Sequence, residues 1–287
     1  MIILGRTKVL GVFGHPVAHS LSPLMHNAAI EALNIDYVYV PFHVLPEDLE
    51  AAIRGVRALN VAGVNLTIPH KERVIEFLDE VSESAASIGS VNTVVNRDGR
   101  LLGESTDGPG FLKSIEAQWG KIDGSRVLML GAGGSAKAVA FALVRAGCEL
   151  VVANRTAERA AKLVESVSAA FSGGVTRTVG LQREELGEEV GKADLLVNTT
   201  SVGMHPDEDS IPLPPDLLRP GLLVYDLVYS PLRTRLIEEA ESRGARAANG
   251  LGMLVHQGAL SFEMWTGRQA PVDVMERAIR SELNVES

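Results

Sequence analysis

One cysteine, Cys148, stands in 287 residues, so no intramolecular disulfide can form. It sits just before the apolar run Leu150 to Ala153 with no motif around it, which predicts a small buried hydrophobe rather than a nucleophile. Positive charge is not in excess. Lys and Arg number 27 against 36 Asp and Glu, a net charge of −9, which leaves no basic footprint for nucleic acid. No stretch nears the roughly eighteen uninterrupted apolar residues of a membrane helix. The apolar opening Met1 to Leu4 is too short for a signal-peptide core. These absences predict a cytoplasmic chain with no membrane and no nucleic-acid partner. Internal repeats and low-complexity tracts are lacking as well. With 46% hydrophobic and 22% charged residues the chain has material for a real core, and its length suggests two domains.

Strand-like and helix-like stretches alternate almost from end to end, the pattern of parallel α/β architecture. Lys8 to Phe13 reads as a strand ending in Gly14. A helix follows from Pro23, with Met25, Ala28, Ala29, Ala32 and Leu33 as its apolar stripe. Tyr37–Val44 and Val61–Leu66 read as strands flanking a helix over Pro46–Leu59. Two polar helices then lead to the strands Val91–Asn96 and Arg100–Gly103, joined by the hairpin dipeptide Asp98-Gly99. A second series begins with the strand Val127–Leu130, the helix Ser135–Ala146, the strand Leu150–Ala153 and the helix Ala157–Ala170. Strands near Val175, Leu195 and Leu222 continue it. His205 to Pro215, rich in proline and acid, predicts an exposed loop. Leu251–Trp265 and Val272–Leu283 read as helices.

Gly131-Ala132-Gly133-Gly134-Ser135-Ala136 fits G-x-G-x-x-G/A between a predicted strand and helix, the context in which that motif binds a dinucleotide. Gly131 permits the tight turn, Gly133 lets backbone approach a pyrophosphate, and Ala136 keeps helix and strand close. The anion then meets free N–H groups at the helix start. An NAD site expects a carboxylate about 20 residues on, for the ribose 2′-hydroxyl. That place holds Asn154-Arg155-Thr156, with Arg159 one turn beyond. These residues can pair with a 2′-phosphate, which favours NADP.

Elsewhere polar residues cluster at strand ends and turns: Ser20 and Ser22, then Asn65, Thr67 and Lys71, then Asn92 with Thr93, and Asp107. Neutral donors and acceptors with one lysine and one aspartate suit a small polyhydroxylated ligand. Each also has an ordinary reading. Ser22 or Asp107 could cap a helix, Asn65 and Asn92 could be turn residues, and Lys71 a solvated helix residue. His15, His19 and His70 lack metal-ligand spacing, so no metal is expected.

The blocks Gly14 to Pro16, Ser20 to Asn27, Asn65 to Lys71, Gly89 to Thr93 and Ser105 to Gly108 resemble the shikimate dehydrogenase family. So do Gly131 to Ala136, Asn154 to Thr156, Asn198 to Met204, Tyr225 to Tyr229, and Asn249 to Met253 with Gln257. The likeness runs from about residue 9 to 260. Ser230, where the family often has asparagine, and Arg233 and Arg235 after Pro231 depart from it.

The resemblance implies a two-domain α/β fold: a substrate-binding domain of residues 1–106 completed by 250–287, and a Rossmann-like NADP-binding domain of residues 107–249, with a cleft between them. It implies reversible NADPH-dependent reduction of 3-dehydroshikimate to shikimate, a step of chorismate and aromatic amino-acid biosynthesis, by a monomer or homodimer. Ser20, Ser22 and Tyr229 would hold the substrate carboxylate, and Asn65, Thr67, Asn92, Asp107 and Gln257 the ring hydroxyls. Gly250, Leu227 and the turn from Thr199 to Gly203 would line the nicotinamide side. Hydride delivery to a carbonyl carbon leaves charge on its oxygen, which an acid must neutralise. Lys71 is the candidate, the only lysine within the substrate motifs, with Asp107 to orient it. Three alternatives stay open: a quinate/shikimate dehydrogenase with NAD or broader substrate use, a cofactor-sensing regulator, and a reductase sharing only the dinucleotide domain.

Overall fold

The computed structural model describes residues 2–171 and 176–283. The chain divides into two units, residues 1–110 with 254–287, and residues 111–253.

The first unit runs β1 (Lys8–Gly14), α1 (Ser22–Ala32), β2 (Tyr37–His43), a 3₁₀ turn at Pro46–Asp48, α2 (Leu49–Ala58) and β3 (Gly63–Leu66). A second 3₁₀ turn (Arg73–Phe77), β4 (Glu80–Val81), α3 (Glu83–Ile88), β5 (Thr93–Arg97) and β6 (Arg100–Glu104) follow. Helix α4 (Asp107–Trp119) carries the chain into the second unit. The strands form a six-stranded sheet in the order β2-β1-β3-β5-β6-β4. It is mixed, because β5 runs antiparallel to both β3 and β6. The tight turn between β5 and β6 has both central residues, Asp98 and Gly99, at positive φ (53° and 88°), as a two-residue hairpin requires.

Helix α2 shows why the local sequence folds this way. Leu49, Ile53 and Val56 recur at helical spacing and are fully buried in a core with Val64, Val74 and Leu101. In α1 the buried face is Met25, His26, Ala29 and Ile30, while Ala32 and Leu33 are exposed, so the stripe expected from the sequence ran one turn too far. Edge strand β2 is covered by a side chain: Asn27 accepts from the Tyr39 N–H at 2.9 Å and donates to its carbonyl at 2.8 Å. The first of the two expected polar helices is a 3₁₀ turn instead, and the short strand β4 lies between it and α3.

The second unit continues with β7 (Arg126–Leu130), α5 (Gly134–Arg145), β8 (Glu149–Ala153), α6 (Ala157–Ala170), β9 (Thr176–Val179) and α7 (Arg183–Lys192). Then come β10 (Leu195–Asn198), a 3₁₀ turn at Pro215–Leu217, β11 (Leu223–Asp226), α8 (Arg235–Ser242) and β12 (Arg246–Asn249). Helix α9 (Leu251–Thr266) returns the chain to the first unit, which α10 (Val272–Glu282) completes. Val175, the centre of one expected strand, lies outside the described residues. Elements α7, α8 and β12 extend the series beyond those anticipated.

All strands of this sheet pair in parallel, in the order β12-β11-β10-β7-β8-β9. Val127 to Leu130, Leu150 to Ala153 and Leu195 to Val197 are at most 2% exposed, which explains their unbroken apolar runs. Strand order reverses between β7 and β10, so the ends of those two strands flank the switch point where such sheets take ligands. The residues next in chain are Gly131 and Thr199. In the expected loop, 205–209 are exposed, but Leu213 anchors the segment in the core at 3% exposure.

Candidate functional site

In the first unit Lys71 follows β3 and Asp107 opens α4. Their side chains meet, Lys71 Nζ donating to Asp107 Oδ2 at 2.5 Å, with the side chains 16% and 6% exposed. The aspartate is seated from its other side, where Asn92 Nδ2 donates to Oδ1 at 2.8 Å. Neither ordinary reading survives here, since Lys71 is half-buried and ion-paired and the Asp107 carboxylate is held by side chains. Asn92 in turn donates to Thr106 Oγ1 at 2.8 Å and Gln257 Oε1 at 3.2 Å, and accepts from the Thr106 N–H at 2.8 Å. Gln257 reaches this point because Gly110 lies against it. A Cβ on Gly110 would stand 2.6 Å from the Gln257 nitrogen.

Asn65 lies within β3 rather than in a turn, and its amide is bonded at both ends. Oδ1 accepts from the Tyr39 phenol at 2.8 Å, and Nδ2 faces the Asn92 carbonyl (3.0 Å), Thr93 Oγ1 (3.2 Å) and Ser261 Oγ (3.1 Å). Burial pushes the Tyr39 phenol well above its usual range, with the Ser22 hydroxyl opposing the rise. Thr67 packs its methyl over Gly14, where a Cβ would come within 2.4 Å of it. Ser22 is the first residue of α1, not its cap. Leu21 holds the cap position and no side chain caps the helix. The Ser22 N–H instead turns back to Ser20 Oγ at 3.3 Å. Tyr39 and Ser261 escaped the sequence reading. Tyr39 looks like any aromatic in a strand, and the one available signal for Ser261 is its place four residues after Gln257, on the same helix face.

In the second unit Gly131 has φ +111°, and a Cβ there would meet Thr199 Oγ1 at 2.4 Å. Thr199 donates from both its N–H and its hydroxyl to the Leu130 carbonyl, at 2.8 and 2.7 Å. Past this crossing the surface opens. Gly133 caps α5 and Gly134 begins it; both are exposed, and a Cβ on either would meet nothing within 4 Å. Ala136 is fully buried beneath, and Ala132 and Ser135 are half-buried. Backbone N–H groups at a helix start, with space above them, suit a diphosphate.

Asn154 Nδ2 donates to the Thr156 carbonyl at 2.8 Å, shaping the turn into α6. Thr156 is the cap residue, but its hydroxyl makes no capping bond. Arg155 and Arg159 are exposed on the same turn and form no ion pair among the described residues. Two uncommitted guanidinium groups and a free hydroxyl at a helix start suit a phosphate monoester.

The turn after β10 and the segment after β11 are tied by a buried carboxylate. Asp226, fully buried, accepts from Asn198 Nδ2 (2.9 Å), the Val228 N–H (3.1 Å) and the Thr234 hydroxyl (2.6 Å). Burial raises its pKa, and these bonds pull against the rise. Asn198 also accepts from the N–H and hydroxyl of Thr200. Leu227 donates its N–H to the Asn198 carbonyl at 2.9 Å. Gly250 lies on this segment so closely that a Cβ would fall 2.0 Å from the Leu227 oxygen. Tyr229 is half-buried, and burial raises its pKa. Cys148 is buried with its thiol pushed up to about 11, the inert hydrophobe expected. Among the described residues no helix is long and apolar enough to cross a membrane, and no group of His, Cys, Asp or Glu could hold a metal ion.

Family models match three stretches: the shikimate dehydrogenase substrate binding domain over residues 12–94, shikimate / quinate 5-dehydrogenase over 113–204, and the shikimate 5′-dehydrogenase C-terminal domain over 250–280. A shikimate dehydrogenase (NADP(+)) of Moorella thermoacetica is 51% identical, the match covering 99% of this chain and 97% of that protein. Among solved structures, shikimate 5-dehydrogenase of Thermus thermophilus in complex with NADP(H) and shikimate is 43% identical, with TM-score 0.87 and coverage of 96% and 99%. Quinate dehydrogenase of Corynebacterium glutamicum in complex with NAD is more distant in sequence, at 32%, with TM-score 0.90 and coverage of 96% and 99%. With a Lys–Asp pair seated in one unit, a glycine turn at the switch point of the other, and identity of this extent over nearly the whole length, the chain belongs to the shikimate dehydrogenase family.

Proposed function

We infer that the chain catalyses the reversible NADPH-dependent reduction of 3-dehydroshikimate to shikimate, a step of chorismate and aromatic amino-acid biosynthesis. The observation that carries this reading is the largely buried Lys71–Asp107 pair within the unit that contains the substrate-domain match. NADPH, when bound, supplies the hydride that reduces the ring carbonyl. Lys71 gives a proton to the carbonyl oxygen as charge grows on it, and takes one back in alcohol oxidation. Asp107 keeps the ammonium in place through Oδ2, and because Oδ1 is pinned by Asn92 the carboxylate cannot turn away. Ser20, Ser22 and Tyr229 bind the substrate carboxylate, and Asn65, Thr67, Asn92, Asp107 and Gln257 surround the ring hydroxyls. The turn from Gly131 to Ser135 takes the diphosphate. Asn154, Arg155, Thr156 and Arg159 take the 2′-phosphate, while Thr199, Leu227 and Gly250 border the nicotinamide. The protein acts in the cytoplasm as a monomer or homodimer.

The test is formation of NADPH or NADH by the purified protein with shikimate or quinate, each with NADP and with NAD. Shikimate with NADP should turn over far faster than any other pairing. Turnover confined to quinate with NAD would transfer the assignment to the activity named for the Corynebacterium glutamicum relative.

A further inference from the structure

Two hydroxyls outside every recognised motif hold the polar network of the first unit together. The Asn65 amide is fixed at both ends. Its nitrogen has two hydrogens and three acceptors around it, the Asn92 carbonyl and the hydroxyls of Thr93 and Ser261, so it has nothing left to donate. Its oxygen accepts one bond, from the Tyr39 phenol, and keeps a second lone pair. Asn65 can therefore meet a ring hydroxyl only as an acceptor. The Asn92 carbonyl, which can only accept, sets that polarity, and the Tyr39 phenol, donating to the Asn65 oxygen, holds it in place.

Ser261 joins this amide to the other. Its hydroxyl donates to the Gln257 carbonyl one helical turn earlier, at 3.0 Å. With that hydrogen committed, its oxygen can only accept, from Asn65 at 3.1 Å and from Thr93 at 2.7 Å. Thr106 Oγ1 lies 3.2 Å away and itself accepts from Asn92, the residue that seats Asp107. Polar atoms within 3.2 Å of one another thus run from Tyr39 through Asn65, Ser261, Thr106 and Asn92 to the Lys71–Asp107 pair. Asn92, Thr93, Thr106 and Ser261 are at most 2% exposed, so water cannot replace a lost partner.

We propose that Tyr39 and Ser261 are positioning residues for the reaction. Tyr39 holds the Asn65 oxygen in place as an acceptor for a substrate ring hydroxyl, and Ser261 couples that amide to the one that seats Asp107 beside Lys71. The inference rests on Lys71 and Asp107 being the acid–base pair.

Tyr39→Phe removes one oxygen and keeps the ring, which stacks on His26 at 4.3 Å and lies near Trp265 at 6.1 Å. Loss of one buried hydrogen bond predicts a rise of about five- to tenfold in KM for shikimate with kcat little changed. The Kd for NADP, from titration of intrinsic fluorescence, stays at the parent value. Ser261→Ala lowers kcat and shifts the pH profile of kcat/KM by about half a unit, because that profile reports the acid–base groups of the free enzyme. Ser261→Thr, which keeps a hydroxyl, restores both. Variants that lower only the melting temperature, with kcat, KM and pH profile at parent values, would overturn the proposal. Lys71→Ala run alongside separates the two levels. If it is inactive while Tyr39→Phe and Ser261→Ala match the parent, the network proposal alone falls. If Lys71→Ala stays active, the acid–base reading falls and takes the proposal with it.

Discussion

In the first unit the polar residues are buried and spend their hydrogen bonds on one another. Asn92 is 2% exposed and Asp107 5%, and both are bonded on every side that the protein offers. In the second unit the residues proposed to hold the cofactor stand open. Gly133 and Gly134 have empty space above them, and Arg155 and Arg159 have no counter-ion among the described residues. The difference follows from what each is proposed to recognise. A small ring with several hydroxyls is told apart by donors and acceptors at fixed positions, so their supports are built in before it arrives. A diphosphate is an extended anion with many equivalent oxygens, and backbone N–H groups with mobile guanidinium side chains can meet it without such a frame. The proposed cofactor side is therefore made mainly of backbone and absent side chains, and the proposed substrate side of side chains holding side chains.

The sharpest way to break this comparison is to remove the one cation in the buried network. Lys71→Ala is expected to lower kcat by about 10²–10⁴-fold with a modest change in KM, the signature of a proton transfer felt in the transition state. A normal kcat with a raised KM would make Lys71 a binding group and shift attention to Asp107.

On the open side the expected loss is smaller and confined to one ligand. Arg155→Ala should weaken NADP by about 1.5–3 kcal/mol while leaving weak NAD use unchanged, since a charge-assisted phosphate contact is lost and Arg155 forms no ion pair among the described residues. Equal weakening of both cofactors would mean that the substitution disturbs the turn into α6, and unchanged NADP affinity would point to Arg159.

The third expectation concerns stability and belongs to the first unit alone. His26 is completely buried against Tyr39 and Trp265, with neither ring nitrogen hydrogen-bonded, and burial lowers its pKa to about 3. The unfolded chain takes up this proton near pH 6.5, whereas the folded chain resists it until about pH 3. The stability due to neutral His26 is therefore complete above pH 6.5 and declines as pH falls towards 3. Between pH 7 and pH 5 the loss is about 2 kcal/mol, at roughly 1.4 kcal/mol for each pH unit below the unfolded value. Urea unfolding at the two pH values should show this difference in the parent and a shallower one in His26→Phe. Equal slopes would mean that His26 finds a partner or water in solution.

Legibility differed between the two sides for the same physical reason. The glycine turn proposed for the cofactor was readable because its constraints are local: positive φ at Gly131, close packing at Ala136 and the missing carboxylate near Asn154 all fall within one strand–helix–strand stretch. Lys71 and Asp107 could be named from their motifs, but taken singly each looked like an ordinary surface or capping residue. Tyr39 and Ser261 carried almost no signal, because what distinguishes them is who lies opposite.

The sequence alone determined the α/β alternation, the hairpin at Asp98-Gly99 and the glycine turn from Gly131 to Ala136 between a strand and a helix, each dictated by periodicity or by backbone conformation. Only the tertiary structure decided that Ser22 begins a helix without capping it and that the apolar stripe of α1 stops at Ile30. It alone decided that Asn65 and Asn92 are held in fixed orientation, and that residues as distant in chain as Tyr39 and Ser261 share one network. A hydrogen bond fixes donor and acceptor to within a few tenths of an ångström. The chain reaches that precision only when strands and helices far apart in sequence have packed, so no local pattern could record it.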